Sequence, residues 1–307
     1  MIKIENLTKS FPNFTAVEGI SFEAGDNRIL GFLGPNGAGK TTTLRMLVGL
    51  SKPTSGKIFI DKKEIIFGQS DNNRTLGYLP EQPAFYNWMS GYEYLTLIGE
   101  LFGLDKAKLI KKISELLSLV NLTEAANKRI STYSNGMKQR LGIAQALVND
   151  PKVLILDKPV SALDPIGRHE ILEIIERLKH DKTIIISTHI LSDVDRICDD
   201  VAIINKGKLI TFSPLAKLKE DFSQSILEVE FSTNPQKLIH PLMNESWQEN
   251  VEQIGNTLKI RTKGNQAIEQ NMAMKFFTKY DLSIIRYAQI VPEIEDLFMA
   301  LIEKDKS

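Results

Sequence analysis

The stretch GFLGPNGAGKTTT, residues 31–43, decides how the rest of the chain is read. It opens inside an apolar run, turns through Gly34, Gly37 and Gly39, and reaches Lys40 and Thr41. The continuation, TTTLRMLVGL, carries its apolar residues at helical spacing. Strand, glycine loop, Lys-Thr and helix in that order hold a phosphate. In the loop Gly34, Pro35, Asn36, Gly37, Ala38 and Gly39, glycines let successive N–H groups turn toward one anion. The helix N-terminus behind adds partial positive charge. Lys40 is expected at the β- and γ-phosphates of a nucleoside triphosphate. Thr41 is expected on Mg²⁺, with Thr42 completing the first turn.

Further along, RILGFLG, KVLILD, TIIIST and VAIIN are short apolar runs bounded by polar residues. They read as strands buried on both faces of an α/β sheet, alternating with helices. Asp157 ends one of them, where a carboxylate beside a phosphate loop meets the metal. Between residues 88 and 130 the period becomes helical, in YEYLTLIGELFGL and KLIKKISELLSLV, so a helical insert is expected there. Past about residue 220, SILEVEF, TLKIRTK and SIIRYAQIV alternate like half-exposed strands, with helical patterns between and after them. That order resembles a small α+β, split-βαβ (ferredoxin-like) domain. The expected division is residues 1–220 and 221–307.

Lys+Arg and Asp+Glu number 38 each. The zero balance argues against a nucleic-acid partner, which a basic excess would accompany. A lone cysteine, Cys198, excludes an internal disulfide framework and fits a reducing compartment. The chain shows neither a bilayer-spanning apolar run nor an apolar leader at its start, so a cytoplasmic location is expected.

Several ordered motifs together resemble an ABC-transporter nucleotide-binding domain. YSNGMKQRLGIAQAL resembles the family signature, with Ser134 and Gly136 in place and Asn135 and Met137 departing from its commoner glycine and glutamine. GYLPEQ supplies Gln82 as the Q-loop glutamine, SALD the D-loop ending at Asp164, and STH the switch histidine, His189. Phe11 matches the adenine-stacking aromatic, with Phe14 a competitor, and either one could instead be core. The resemblance spans residues 1 to about 220. It implies a P-loop NTPase (RecA-like) core with an antiparallel β subdomain and the helical insert. It also implies ATP with Mg²⁺ as cofactors, the metal held by Thr41, Gln82 and Asp157. Two such domains, identical or different, would pair head to tail on the inner face of the cell membrane, attached through integral membrane permease subunits. There Ser134 and Gly136 of one face the nucleotide of the other, and His189 holds the attacking water. The insert around FYNWMSGYEYL would receive the permease; its Tyr86 and Trp88 could equally be local core. The tail motif IEDLF, Ile294 to Phe298, is like that of antibiotic- and multidrug-export subunits.

One residue breaks the pattern. After Asp157 the family has a glutamate that orients water and accepts its proton; here it is Lys158. An ammonium carries no lone pair to accept a proton. The alternatives are slow hydrolysis, a competent site on a partner subunit, or a variant of an active protein. An ATP-gated regulatory module with little turnover is the rival function. Soluble ABC proteins of DNA repair or translation would show a coiled-coil insertion or tandem nucleotide domains, and neither is present in the sequence.

Overall fold

The computed structural model describes residues 1–307 except 69–74, 162, 224–225, 264–265, 281, 290–293 and 305–307. Ala162 of the D-loop therefore lies outside the described residues. Two compact units emerge, Met1–Ser213 and Pro214–Ser307. The division falls ahead of the expected residue 220, because Leu215–Ser223 forms a helix belonging to the second unit.

The first unit begins with β1 (Ile2–Phe11) and β2 (Phe14–Ala24), a hairpin that runs in antiparallel register from Ile2↔Ala24 to Phe11↔Phe14. After β3 (Ile29–Leu33) and α1 (Lys40–Leu47), β4 (Ser55–Ile60) and β5 (Lys63–Glu64) complete an antiparallel sheet in the order β2-β1-β4-β5. Next come β6 (Leu76–Leu79), then α2 (Gly91–Leu101) and α3 (Lys106–Leu119), which are the helical insert. Ser90 and Glu93 close a capping box at the start of α2, satisfying two otherwise orphaned amides. The chain returns through α4 (Asn135–Leu147), β7 (Val153–Asp157), α5 (Pro165–Leu178), β8 (Thr183–Thr188), α6 (Leu191–Ile197), β9 (Asp200–Asn205) and β10 (Lys208–Pro214).

The central sheet has the order β10-β9-β3-β8-β7-β6. Strands β9, β3, β8, β7 and β6 are parallel. Every residue of β3, β7, β8 and β9 is buried, as the continuous apolar runs require of strands covered on both faces. Alternate residues feed two cores. Leu154, Leu156, Ile184 and Ile186 join the cluster that reaches α2 and α3 through Leu95 and Leu116. Val153, Ile155 and Ile185 join one built with α1 and the antiparallel sheet. Because parallel strands end on one side, all their carboxyl ends deliver loops to a common edge, the usual place for a ligand in such sheets.

The second unit runs α7 (Leu215–Ser223), β11 (Ile226–Phe231), α8 (Gln236–Met243), β12 (Gln248–Ile254), β13 (Thr257–Thr262), α9 (Gln266–Phe277), β14 (Ile284–Gln289) and α10 (Ile294–Lys304). Its sheet order, β12-β13-β11-β14 with every pair antiparallel, is that of a βαββαβ ferredoxin-like domain. Its own core gathers Val229, Phe231, Leu238, Trp247, Ile260 and Phe277.

Candidate nucleotide site

The loop after β3 is shaped by close backbone approaches. A side-chain carbon at Gly34 would stand 2.3 Å from the Ile204 carbonyl oxygen. One at Gly39, whose φ is +107°, would stand 2.4 Å from that of Ala16. Neither position admits a larger residue without moving β-sheet backbone. Gly39 is also the residue preceding α1, and no side chain caps that helix. Lys40, its first residue, is buried, and its ammonium donates to the carbonyl oxygens of Gly34 (2.6 Å) and Pro35 (2.9 Å). Burial pushes this lysine down to about 8; Lys158 adds to the effect, while Asp157 and Glu81 oppose it. Thr41 and Thr42 follow, half-buried.

Asp157, at the end of β7, is fully buried. One carboxylate oxygen accepts from the Ser187 hydroxyl, and the other, Oδ2, has no partner. A buried unpaired carboxylate oxygen is costly. A hard divalent cation bound by oxygen would satisfy it, so the site fits Mg²⁺. The bound ion would supply charge stabilisation at the phosphates, with Asp157 and the Thr41 hydroxyl as the groups to hold it.

Lys158 adopts a left-handed backbone, φ 49°, uncommon outside glycine. Its amide donates to the Ser187 carbonyl (3.1 Å) and to the Ser187 hydroxyl oxygen (3.0 Å), and its carbonyl accepts from Ser161. The side chain is thereby aimed at β6, and its ammonium pairs with Glu81 Oε1 at 2.8 Å. The sheet explains this meeting. Leu79 of β6 lies opposite Leu156 of β7, and Glu81 and Lys158 each come two residues later. Glu81 escapes the sequence reading because a register between distant strands makes the pair. Gln82, expected at this point, is exposed, and its neighbour Glu81 is the residue joined to the cluster.

The remaining expected residues lie around this edge or on other surfaces. His189 follows β8 and is exposed, with Asp193 close enough to feel its charge. Asp164 caps α5 by accepting from the Gly167 amide at 2.7 Å. Ser134 caps α4, its hydroxyl accepting from Met137 N at 3.2 Å, and is exposed with Asn135; Gly136 is half-buried. Met137 packs against the core, so its departure from glutamine is a gain of apolar contact. Phe11 and Phe14 are both exposed and stack on each other at 5.1 Å, so neither is core. The Lys9 ammonium lies over the Phe11 ring, 5.1 Å from its centre, so the exposed pair forms an aromatic and cationic surface on the hairpin.

On another side of the first unit, a cavity of about 370 Å³ opens between the end of α1, β6, α2 and α4. Leu50, Tyr78, Leu101, Phe102 and Gln145 line it. Leu101 is 75% exposed and Trp88, at the start of the insert, 71%. Trp88 and the likewise exposed Tyr86 are therefore surface groups, not local core.

The ABC transporter family model matches residues 17–161. The uncharacterized ABC transporter ATP-binding protein YxlF of Bacillus subtilis (strain 168) is 50% identical over 221 residues, covering 72% of this chain and 73% of that one. The chain belongs to the ABC transporter ATP-binding proteins. Membership extends through the second unit: the bacitracin transport ATP-binding protein BcrA of Bacillus licheniformis is 35% identical over 98% of this chain and 97% of its own. Among solved structures, the dimeric post-hydrolysis ATP-binding cassette MJ0796, bound to ADP and Pi, matches with TM-score 0.64. At 24% identity over 70% of this chain and 99% of that one, it establishes the cassette fold. Among the described residues, no helix is long and apolar enough to cross a membrane.

Proposed function

We propose that this ABC protein is the ATP-binding motor subunit of an exporter, and that ATP closure of two cassettes drives separate membrane subunits. The observation that carries the reading is the glycine loop wrapped around the buried Lys40, within electrostatic reach of the buried Asp157, whose unpartnered oxygen suits the metal of a Mg²⁺-nucleotide. Lys40 pairs with the β- and γ-phosphates, the Phe11–Phe14 platform receives the base, and Ser134 and Gly136 contact the nucleotide of the facing cassette. A helix of the permease fits the apolar cavity beside Leu101 and Phe102, in the manner of a helix laid in a groove. In this reading the subunit works at the inner face of the membrane. The relative named for Nod factor export supports the export direction, and those named for bacitracin and lantibiotic transport support a transport role.

Lys158 favours a second reading, an ATP-gated module with little turnover, because its ammonium cannot serve as the base. The two readings share ATP-driven pairing and differ in phosphate release. In gel filtration with Mg²⁺-ATP the parent is expected to elute as a dimer. Ser134→Arg is expected to bind ATP normally yet stay monomeric. A dimeric Ser134→Arg variant would refute the sandwich.

A further inference from the structure

We infer that Lys158 senses the third phosphate of the nucleotide: its ammonium rests on Glu81 and leaves it for the γ-phosphate when a nucleoside triphosphate enters. The inference rests on the ATP-binding reading above and gives a task to the cation that follows Asp157. No proton moves in it. One ammonium exchanges a carboxylate for a phosphate.

The resting position is fixed from the backbone outward. Lys158 is held at φ 49° by two bonds from its amide to Ser187 and one from the Ser161 amide to its carbonyl. A backbone kept in this sparse region by its surroundings aims the side chain. Only the stem is left to move, a flexible four-carbon chain ending in three rotatable donors. In the described structure that head pairs with Glu81 Oε1 at 2.8 Å. Asp157 does not compete for it, being fully buried with one oxygen accepting from Ser187.

Lys40 rests in the same manner. Its ammonium sits on the carbonyl oxygens of Gly34 and Pro35, inside the loop that turns toward an anion. Burial lowers its pKa most, the charge of Lys158 adds to that, and Asp157 and Glu81 oppose it. All four side chains therefore share one edge of the sheet. The loop amides cradle the β-phosphate and Lys40 spans the β- and γ-phosphates, so a diphosphate stops short where a triphosphate extends into the reach of Lys158.

Magnitudes decide the direction of the exchange. The Lys158–Glu81 pair is partly exposed, its side chains at 19% and 39%, and such a pair is worth up to about fivefold in an equilibrium. A charge-assisted bond to a phosphate oxygen is worth about tenfold to a hundredfold. The ammonium therefore transfers, and ATP is favoured over ADP by about tenfold through this residue. Glu81 opens the segment that joins β6 to α2, so its release carries the presence of the third phosphate toward the helical insert.

The test uses the full-length protein with Mg²⁺ and either ADP or the β,γ-imido analogue of ATP, which cannot be hydrolysed. A water-soluble carbodiimide condenses a carboxylate with a contacting amine, taking up the lost oxygen as a urea, so it should join Glu81 to Lys158. The linked peptides are read by mass spectrometry. The link is expected in the free protein and with ADP, and to fall at least about fivefold when the ATP analogue saturates the site. Affinities of both nucleotides are measured in parallel. Lys158→Met should lower the ratio of analogue to ADP affinity about tenfold, and Lys158→Arg should restore most of it because the charge is kept. Glu81→Gln should abolish the link and raise that ratio about threefold, since the resting partner is weakened. A link that forms equally with ADP and with the analogue, or an unchanged affinity ratio in Lys158→Met, would overturn the sensor and leave ATP binding intact. A parent that binds neither nucleotide would remove the ATP-binding reading itself.

Discussion

Raising the pH from 7 to 9 should weaken ATP binding in a way set by Lys40. Its ordinary value is 10.5, and burial beside Lys158 brings it to about 8 in the folded chain. The triphosphate is bound by the charged form. At pH 7 about nine-tenths of the free protein carries that charge, and at pH 9 about one-tenth, so affinity should fall about tenfold, or about 1.4 kcal/mol. The same sign applies to folding. The folded chain binds fewer protons than the unfolded one between about pH 8 and 10.5, so the Lys40 contribution disfavours folding below that window and is relieved as pH rises through it. The assay is a fluorescent ATP-analogue titration without metal at constant ionic strength, run above the phosphate's own second ionisation. Lys40→Met should bind weakly with a flat profile. Lys158→Met should move the midpoint upward, because a repelling charge is gone. An affinity that stays level from pH 7 to 9.5 in the parent would refute the assignment of Lys40 to the phosphates.

Arg168→Met should destabilise the first unit by about 2–4 kcal/mol in urea unfolding, somewhat below a fully buried pair because Arg168 is partly exposed. It strands the buried Asp193 carboxylate, whose Oδ2 is already without a partner, and Asp193→Asn in the same chain should recover most of the loss. A fragment ending at Ser213 should fold and bind ATP, since each unit has its own core. Its aggregation on expression would show that the first unit depends on the second.

The parts legible in the sequence were those written locally. Four apolar runs specified strands covered on both faces, and the glycines of residues 34–39 specified a backbone too close to Ile204 and Ala16 for side chains. Asp157 could be placed at a strand end for the same reason. The Glu81–Lys158 pair was not legible, because it needs the alignment of Leu79 with Leu156 across 77 positions of sequence. The place of Met137 was also hidden: facing the core makes it favourable, and the motif records only that a glutamine is missing. The boundary near residue 220 shifted because the helical pattern after Pro214 gives no sign of which unit it joins.

The chain's two tryptophans make it a self-labelled molecule. Trp88 stands 71% exposed at the start of the insert, and Trp247 is 4% exposed inside the second unit. Indole emission shifts to the blue when the ring leaves water, so the two units report in separate spectral channels. Covering the insert should draw the red component toward the blue, and melting the second unit should push the blue component toward the red. Replacing Trp88 with phenylalanine leaves a reporter confined to the second unit, so its unfolding can be followed while nucleotide occupies the first.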